Sequence, residues 1–407
     1  MATLNPVQAS GFSTLRSHLR AMPAVRYLWW GMLVLEGLCI VVLPFFVPKH
    51  VYLRAYLEEA AEKQTLAFSR DQDPYLMWDG ATGWRNRPLA KNGHWDVDEL
   101  GSRSSEPLSR AHGNKRRLVF LGSSMTNGGM HVSNEETVSA YASDATTECL
   151  NFATMAYSVD QALLLYSEYA RDFGADVVVL GLDDSPEAGL ENRYVPFRRR
   201  DEVNMPYAKP RFTLSGDRLE LLPPPSRDTL ASMLTSDGFF DELMGSDRYY
   251  TQFARFMRFG QLPVSATLLK GYERAQRAAL ALSDADPHQY DLLLALLQKL
   301  SQAVDSDGAR LVIMTMPTFE TVFPSRWRQY LPDRHEDLVD LLHRADFLVV
   351  DGREILRRQD VPPRSLFTGD LVHYKPAANR AIATALTNAL SEARSTGGSP
   401  ADTATAP

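Results

Sequence analysis

Cysteine is nearly absent from this chain: 407 residues hold two, Cys39 and Cys149. Cys39 falls inside the longest apolar run and Cys149 well beyond it, so no intramolecular bridge is expected and a disulfide-stapled scaffold is excluded. No Cys or His cluster has the spacing of a zinc site, and neither a metal nor another cofactor is expected. Positive charge is also short, with 43 Lys and Arg against 50 Asp and Glu and a net charge of −7. That balance argues against a non-specific nucleic-acid binder. Acidic residues are missing from the first 35 positions. What is present, 44% hydrophobic and 23% charged residues, suits one large folded core with room for insertions.

Residues 28–47 read LWWGMLVLEGLCIVVLPFFV, about the 20 residues that cross a hydrocarbon core of roughly 30 Å. Arg16, Arg20 and Arg26 precede this run; Glu58, Glu59 and Glu62 follow soon after Lys49 and Arg54. The positive-inside bias puts residues 1–27 in the cytoplasm and everything after 47 across a bacterial inner membrane, in the periplasm or outside. A cleaved signal peptide is the rival reading, but the run is long for one and no small-x-small cleavage site follows. A single-pass signal anchor is therefore expected. Glu36 interrupts the run, at a cost of about 2.5–3.5 kcal/mol on insertion scales. Either the remaining apolar residues absorb that cost or Glu36 contacts another membrane protein, such as an acyl-transporting partner.

Two short segments carry chemistry. Leu118-Val119-Phe120-Leu121 runs into Gly122-Ser123-Ser124-Met125-Thr126-Asn127-Gly128, and Gly369-Asp370-Leu371-Val372-His373 lies far downstream. A serine hydroxyl is a poor nucleophile until an imidazole takes its proton, and a carboxylate on the other ring nitrogen fixes the tautomer. Ser124, His373 and Asp370 supply those three groups. A strand ending in Gly-Ser-Ser would place Ser124 at the carboxyl edge of a sheet, where open α/β sheets bind ligands.

These segments resemble the SGNH or GDSL hydrolases, particularly their bacterial membrane-anchored members. The segment 120–128 looks like the family's first block, Asn151-Phe152-Ala153-Thr154-Met155-Ala156-Tyr157-Ser158 its second, Val177-Val178-Val179-Leu180-Gly181-Leu182-Asp183-Asp184 its third, and Asp370-Leu371-Val372-His373 its last. The resemblance implies Ser124 as nucleophile, His373 as base and Asp370 as orienting acid. It also implies an oxyanion hole from the N–H of Ser124, the N–H at Ala156 and the side chain at Asp183, or Asp184 if the register slips by one. Two departures stand out. Ala156 replaces a glycine, which costs stability if the backbone needs positive φ. Asp183 replaces an asparagine, and an ionised carboxylate cannot donate. Asn127 is a candidate substitute donor.

The fold class implied is α/β, a flavodoxin-like three-layer sandwich with a mainly parallel sheet, of the SGNH type, preceded by one N-terminal transmembrane helix. Residues 48–115 read as a helical stalk and a turn-rich aromatic segment with Trp78, Trp84 and Trp95, and 116–393 as the catalytic domain with an insertion at about 185–285. Ser133/Glu136 and Ser158/Gln161 fit capping boxes. Ser215-Gly216-Asp217 reads as a hairpin turn. Tyr290, Leu293, Leu294, Leu297, Leu300 and Val304 form a helical core stripe. Arg198-Arg199-Arg200 reads as a solvated face, or as a contact for anionic polymer or headgroups. A helix over 377–393 and a disordered tail over 394–407 close the chain. The functions compatible with these residues are a serine esterase or O-acyltransferase acting on acetylated envelope polysaccharide, a lysophospholipid esterase, or a non-catalytic binding subunit.

Overall fold

The computed structural model describes residues 23–57, 59–104, 109–111, 113–198, 207–282, 288 and 290–396. Arg16, Arg20, Arg199, Arg200 and the tail from 397 onward, on which expectations were placed, lie outside the described residues.

Among the described residues nine strands form, in chain order β1 (Leu76–Asp79), β2 (Gly83–Asn86), β3 (Arg116–Leu121), β4 (Thr147–Asn151), β5 (Val177–Asp183), β6 (Arg211–Ser215), β7 (Arg218–Leu222), β8 (Arg310–Met316) and β9 (Leu348–Asp351). Five of them make one sheet in the order β4-β3-β5-β8-β9, every neighbouring pair parallel. This is the doubly wound order in which the first and second strands exchange places, with the switch point beside β3. The runs Leu118-Val119-Phe120-Leu121 and Val177-Val178-Val179-Leu180 explain it. Val119, Leu121, Val178 and Leu180 enter one core, and Leu118, Phe120, Val177 and Val179 the other. Strict alternation of apolar residues toward two covered faces marks a buried parallel sheet. Helices Val159–Glu168 and Asp291–Ser306 cover the first face, and Val138–Ala142 and Pro376–Thr396 the second. The last helix runs to Thr396, so the first three residues assigned to a tail are helical.

The segment before the sheet is not a free stalk. Helices Lys49–Tyr56 and Glu59–Ser69 bury Tyr52, Leu53, Tyr56, Ala61 and Phe68 in the main core. Their partners come from the chain between β5 and β8. Tyr56 meets Phe253 and Phe256 edge-on at 5.6 and 5.0 Å, and Phe253 stacks between Phe197 and Phe240. The β6–β7 hairpin turns at Gly216, whose φ of 59° suits a left-handed turn position. Both cysteines are free, and burial pushes the Cys149 thiol up to about 12.

The apolar run forms helix Pro23–Phe46, whose segment Tyr27–Phe46 is long and apolar enough to cross a membrane. Most of it is exposed, but Glu36 is only 7% exposed. Its carboxylate accepts from the backbone N–H of Val264 at 3.1 Å, the N–H of Ser265 at 3.0 Å and the Ser265 hydroxyl at 2.7 Å. The Glu36 carboxylate, for which the sequence leaves open either an absorbed cost or a partner protein, thus has its hydrogen bonds met within the chain, because the first turn of a helix offers unsatisfied N–H donors. Glu36→Leu is expected to release that turn. In detergent, trypsin should cleave after the exposed Arg258 faster in this variant than in the unaltered chain.

Candidate active site

The site is built on the carboxyl ends of β3 and β5. Beyond Leu121, Gly122 turns the chain at φ 137°, where a Cβ would lie 2.8 Å from the Gly181 carbonyl. Only glycine fits. Ser123 then caps one helical turn, Ser124–Asn127, by accepting from the Met125 N–H at 3.3 Å, and Gly128 closes that turn at φ 95°. Ser124 is left half-buried, facing the loop that precedes the last helix.

Across the gap, Asp370 organises its own loop. Its Oδ1 accepts from the Thr368 hydroxyl and from the N–H groups of Val372 and His373, at 2.5, 2.9 and 3.0 Å. Its Oδ2 lies 2.6 Å from His373 Nδ1, and His373 Nε2 lies 2.9 Å from Ser124 Oγ. Partial burial pushes the Asp370 carboxyl up, but the donors from Thr368, His373 and Val372 outweigh it and hold the group well below the usual carboxylate range. Asp370 is therefore ionised at any ordinary pH. An ionised carboxylate only accepts, so Nδ1 carries the proton and Nε2 presents its lone pair to the serine.

Of the other positions named from sequence, Ala156 lines the same cleft at φ 58°, the left-handed region that favours glycine. Its turn is braced by the Trp84 indole, which donates to the Met155 carbonyl at 2.9 Å. Asp183 lies at the nucleophile turn: the Ser123 hydroxyl donates to its Oδ1 at 2.7 Å. Asp184 is turned away and accepts from the Thr318 N–H at 2.9 Å and the Thr321 hydroxyl at 2.7 Å. The register therefore puts Asp183, and not Asp184, at the end of β5 that faces Ser123. Asn127 is not a spare donor. It is fully buried, its amide giving to the Ala153 carbonyl at 2.7 Å and its Oδ1 accepting from the Trp95 indole at 3.0 Å.

No family model matches the chain, and no curated protein does. Solved structures similar to it include an α/β hydrolase from the metagenome of Lake Arreo, Spain, at 13% identity and TM-score 0.36, covering 69% of this chain and 97% of that one. A lipase/acylhydrolase from Enterococcus faecalis gives 10% identity and TM-score 0.35 over 68% and 96% of the two chains. An acetylxylan esterase from Geobacillus stearothermophilus gives 11% and 0.35 over 68% and 95%. Likeness at this distance carries no argument about the reaction. The chemistry has to come from the site.

Two residues at the site are not signalled by any local pattern. His131 Nε2 lies 3.2 Å from Asp370 Oδ2, and its ring centroid is 4.8 Å from that of His373. The ligand atoms of His131, Asp370 and His373 all lie within 4.8 Å of one another, so a cation bound there would compete with Ser124 for His373. Arg103, only 4% exposed, gives four of its five donors to the loop 127–134 and the fifth to its own segment. They reach the carbonyls of His94, Asn127, Gly129 and Val132 and the side-chain oxygen of Asn134, at 2.6–3.1 Å. Burial lowers its guanidinium to about 10.

The triad opens onto a cleft of about 1540 Å³. Its walls include Met125, Met130 and Val372 near Ser124, and Gln64, Asn192, Arg198, Arg328 and Arg334 further out. Gly129 fixes the distance between its two sides: at φ 59°, a Cβ there would stand 3.1 Å from His373 Cδ2. Gly129→Ala should displace the imidazole and lower kcat/KM for an ester substrate by about 100-fold, the scale of an ångström's misplacement, and the left-handed backbone there should also cost about 1–2 kcal/mol, read as a lower midpoint of thermal unfolding.

Proposed function

We propose that this chain is a serine ester hydrolase or O-acyltransferase held at the membrane by its apolar helix. The observation that carries the reading is the hydrogen-bonded series from Ser124 through His373 to Asp370 at the mouth of the cleft. Ser124 Oγ attacks the ester carbonyl while His373 Nε2 takes its proton, and Asp370 stabilises the imidazolium formed. His373 returns that proton to the departing alcohol. Water as second nucleophile completes hydrolysis, and a sugar hydroxyl completes transfer.

The backbone N–H groups of Ser124 and Ala156 are the donors assigned to the developing oxyanion. Asp183 opposes them, because a carboxylate near that oxygen raises the energy of the same charge that the donors stabilise. The preferred substrate is O-acetylated envelope polysaccharide: the cleft exceeds the roughly 300–1,000 Å³ usual for small ligands, and its lining includes the guanidinium groups of Arg198, Arg328 and Arg334, suited to sugar hydroxyls. A lipid ester is the second reading, favoured by the exposed apolar helix on the same chain.

Full-length protein in detergent should react with a fluorophosphonate probe and turn over small acetyl esters. Ser124→Ala and His373→Ala should each abolish labelling and cut kcat by about 10⁴-fold or more. A folded chain that never labels would overturn the reading in favour of a binding subunit. Asp183→Asn keeps an oxygen to accept from Ser123 and adds a donor. It should raise kcat by about tenfold or more, given that one oxyanion donor is worth about 100-fold to 1,000-fold; an unchanged or lower kcat would remove Asp183 from the oxyanion hole.

A further inference from the structure

Helix Pro263–Leu282 is twenty residues long, yet none of its described side chains is buried. Leu268 and Tyr272 are 68% and 53% exposed, and Ala275 and Ala279 are exposed beside them. Spaced by four, three and four, these residues line one side of the helix, and Lys270 and Arg274 lie on the other. An apolar stripe left open along a long helix is poorly supported in water, where most helical stability comes from burying that face.

Where the helix starts says what covers it. Its first turn is tied to Glu36, ten residues before the end of the apolar helix at Phe46. At 1.5 Å per residue that is about 15 Å, or half of a hydrocarbon core of roughly 30 Å. Helix Tyr250–Phe259 packs along the apolar helix on the way to that point. The stretch from 259 to 269, FGQLPVSATLL, carries no charge. Its hydroxyls are satisfied locally, Ser265 on Glu36 at 2.7 Å and Thr267 on the Pro263 carbonyl at 2.8 Å. Charges resume only at Lys270. Satisfied hydroxyls within an uncharged turn, next to a membrane-length helix, are what the bilayer interior demands of a segment that enters it. The exposed Gln261 amide, two residues from Pro263, is the one polar side chain the turn leaves to the lipid or to snorkel toward the headgroups.

We propose that residues 259–269 form a re-entrant turn in the bilayer leaflet on the side of the folded domain, docked on Glu36. From there helix Pro263–Leu282 climbs outward, with Leu268 and Ala275 toward the acyl chains, Tyr272 against the Arg255 guanidinium 5.3 Å from its ring centroid, and Lys270 and Arg274 reaching the headgroups. The surface recognised is a lipid bilayer, and its effect is to hold the catalytic cleft at one height above the membrane. This rests on the reading of the apolar helix as a membrane anchor.

Nitroxide accessibility on the full chain tests it, in vesicles of phosphatidylethanolamine and phosphatidylglycerol. Single labels are placed by Leu38→Cys, Leu268→Cys and Arg274→Cys on a background with Cys39→Ser and Cys149→Ser. The expected result is loss of collisions with a water-soluble nickel chelate at position 268, to the level seen at 38, with gain of oxygen collisions, while position 274 stays open to the chelate. A label at 38 in lipid with one at 268 as chelate-accessible as 274 overturns the re-entrant turn and leaves the anchor standing. Chelate access at 38 itself overturns the anchor, and the turn with it.

Discussion

The geometry of the candidate active site depends on one buried cation. Arg103 sits in a turn-rich segment outside the main sheet, and its guanidinium is enclosed by carbonyl oxygens without a carboxylate among its hydrogen-bond acceptors. A buried charge is tolerable only when its hydrogen-bonding capacity is met, and the planar fork of five donors sets where each acceptor must lie. The loop from Asn127 to Asn134 therefore has one conformation available. That conformation brings Gly129 against the His373 ring and His131 onto the same Asp370 oxygen that His373 holds. The spacing between nucleophile and base follows from an arginine that touches neither.

The same logic of satisfied polar groups links the membrane-length helix to the folded domain. Glu36 would be costly alone in an apolar helix, and helix Pro263–Leu282 would begin with orphaned N–H groups. Each answers the other's need. Aromatic packing completes the connection, since helix Lys49–Tyr56 shares a cluster with Phe253 and Phe256 from the chain between β5 and β8. The membrane-length helix, the first helices and the chain between β5 and β8 thus pack together beside the first face of the sheet.

Asp183 remains the unusual feature of the chemistry. Its carboxylate can only accept, so the Ser123 hydroxyl must donate to it and is left to accept from the Met125 N–H. This short series aligns the turn that presents Ser124. A negative group at this turn thus stabilises the loop, and on the proposed reaction it would oppose charge development on the substrate. Ala156 shows a similar compromise, with a side chain held in a backbone region that suits glycine.

Much of this was legible in the chain because the signals are local. Buried strands announce themselves by continuous apolar runs, the capping boxes at Ser133 and Ser158 close within three residues, and the Asp-x-x-His loop makes its internal bonds over the same span. Of the apolar stripe, Tyr290, Leu293, Leu297, Leu300 and Val304 are core as read, whereas Leu294 is half-buried and Leu296 takes its place. Asn127, by contrast, looked like a free loop amide, Glu36 like a group either absorbed by its apolar run or in search of another protein, and residues 49–69 like a stalk. Arg103 and His131 carried no signal at all. Each of these was decided by a partner many residues away: Trp95 and Ala153 for Asn127, Ser265 for Glu36, Phe253 for Tyr56, Asp370 for His131. The sequence by itself determined the buried parallel strands, the turns and which side chains are able to act as nucleophile, base and acid, since those follow from backbone preference and side-chain type. Only the tertiary structure decided which polar groups are already satisfied, because hydrogen-bond partners far apart in the chain meet only once the sheet order and the packed helices have brought them together.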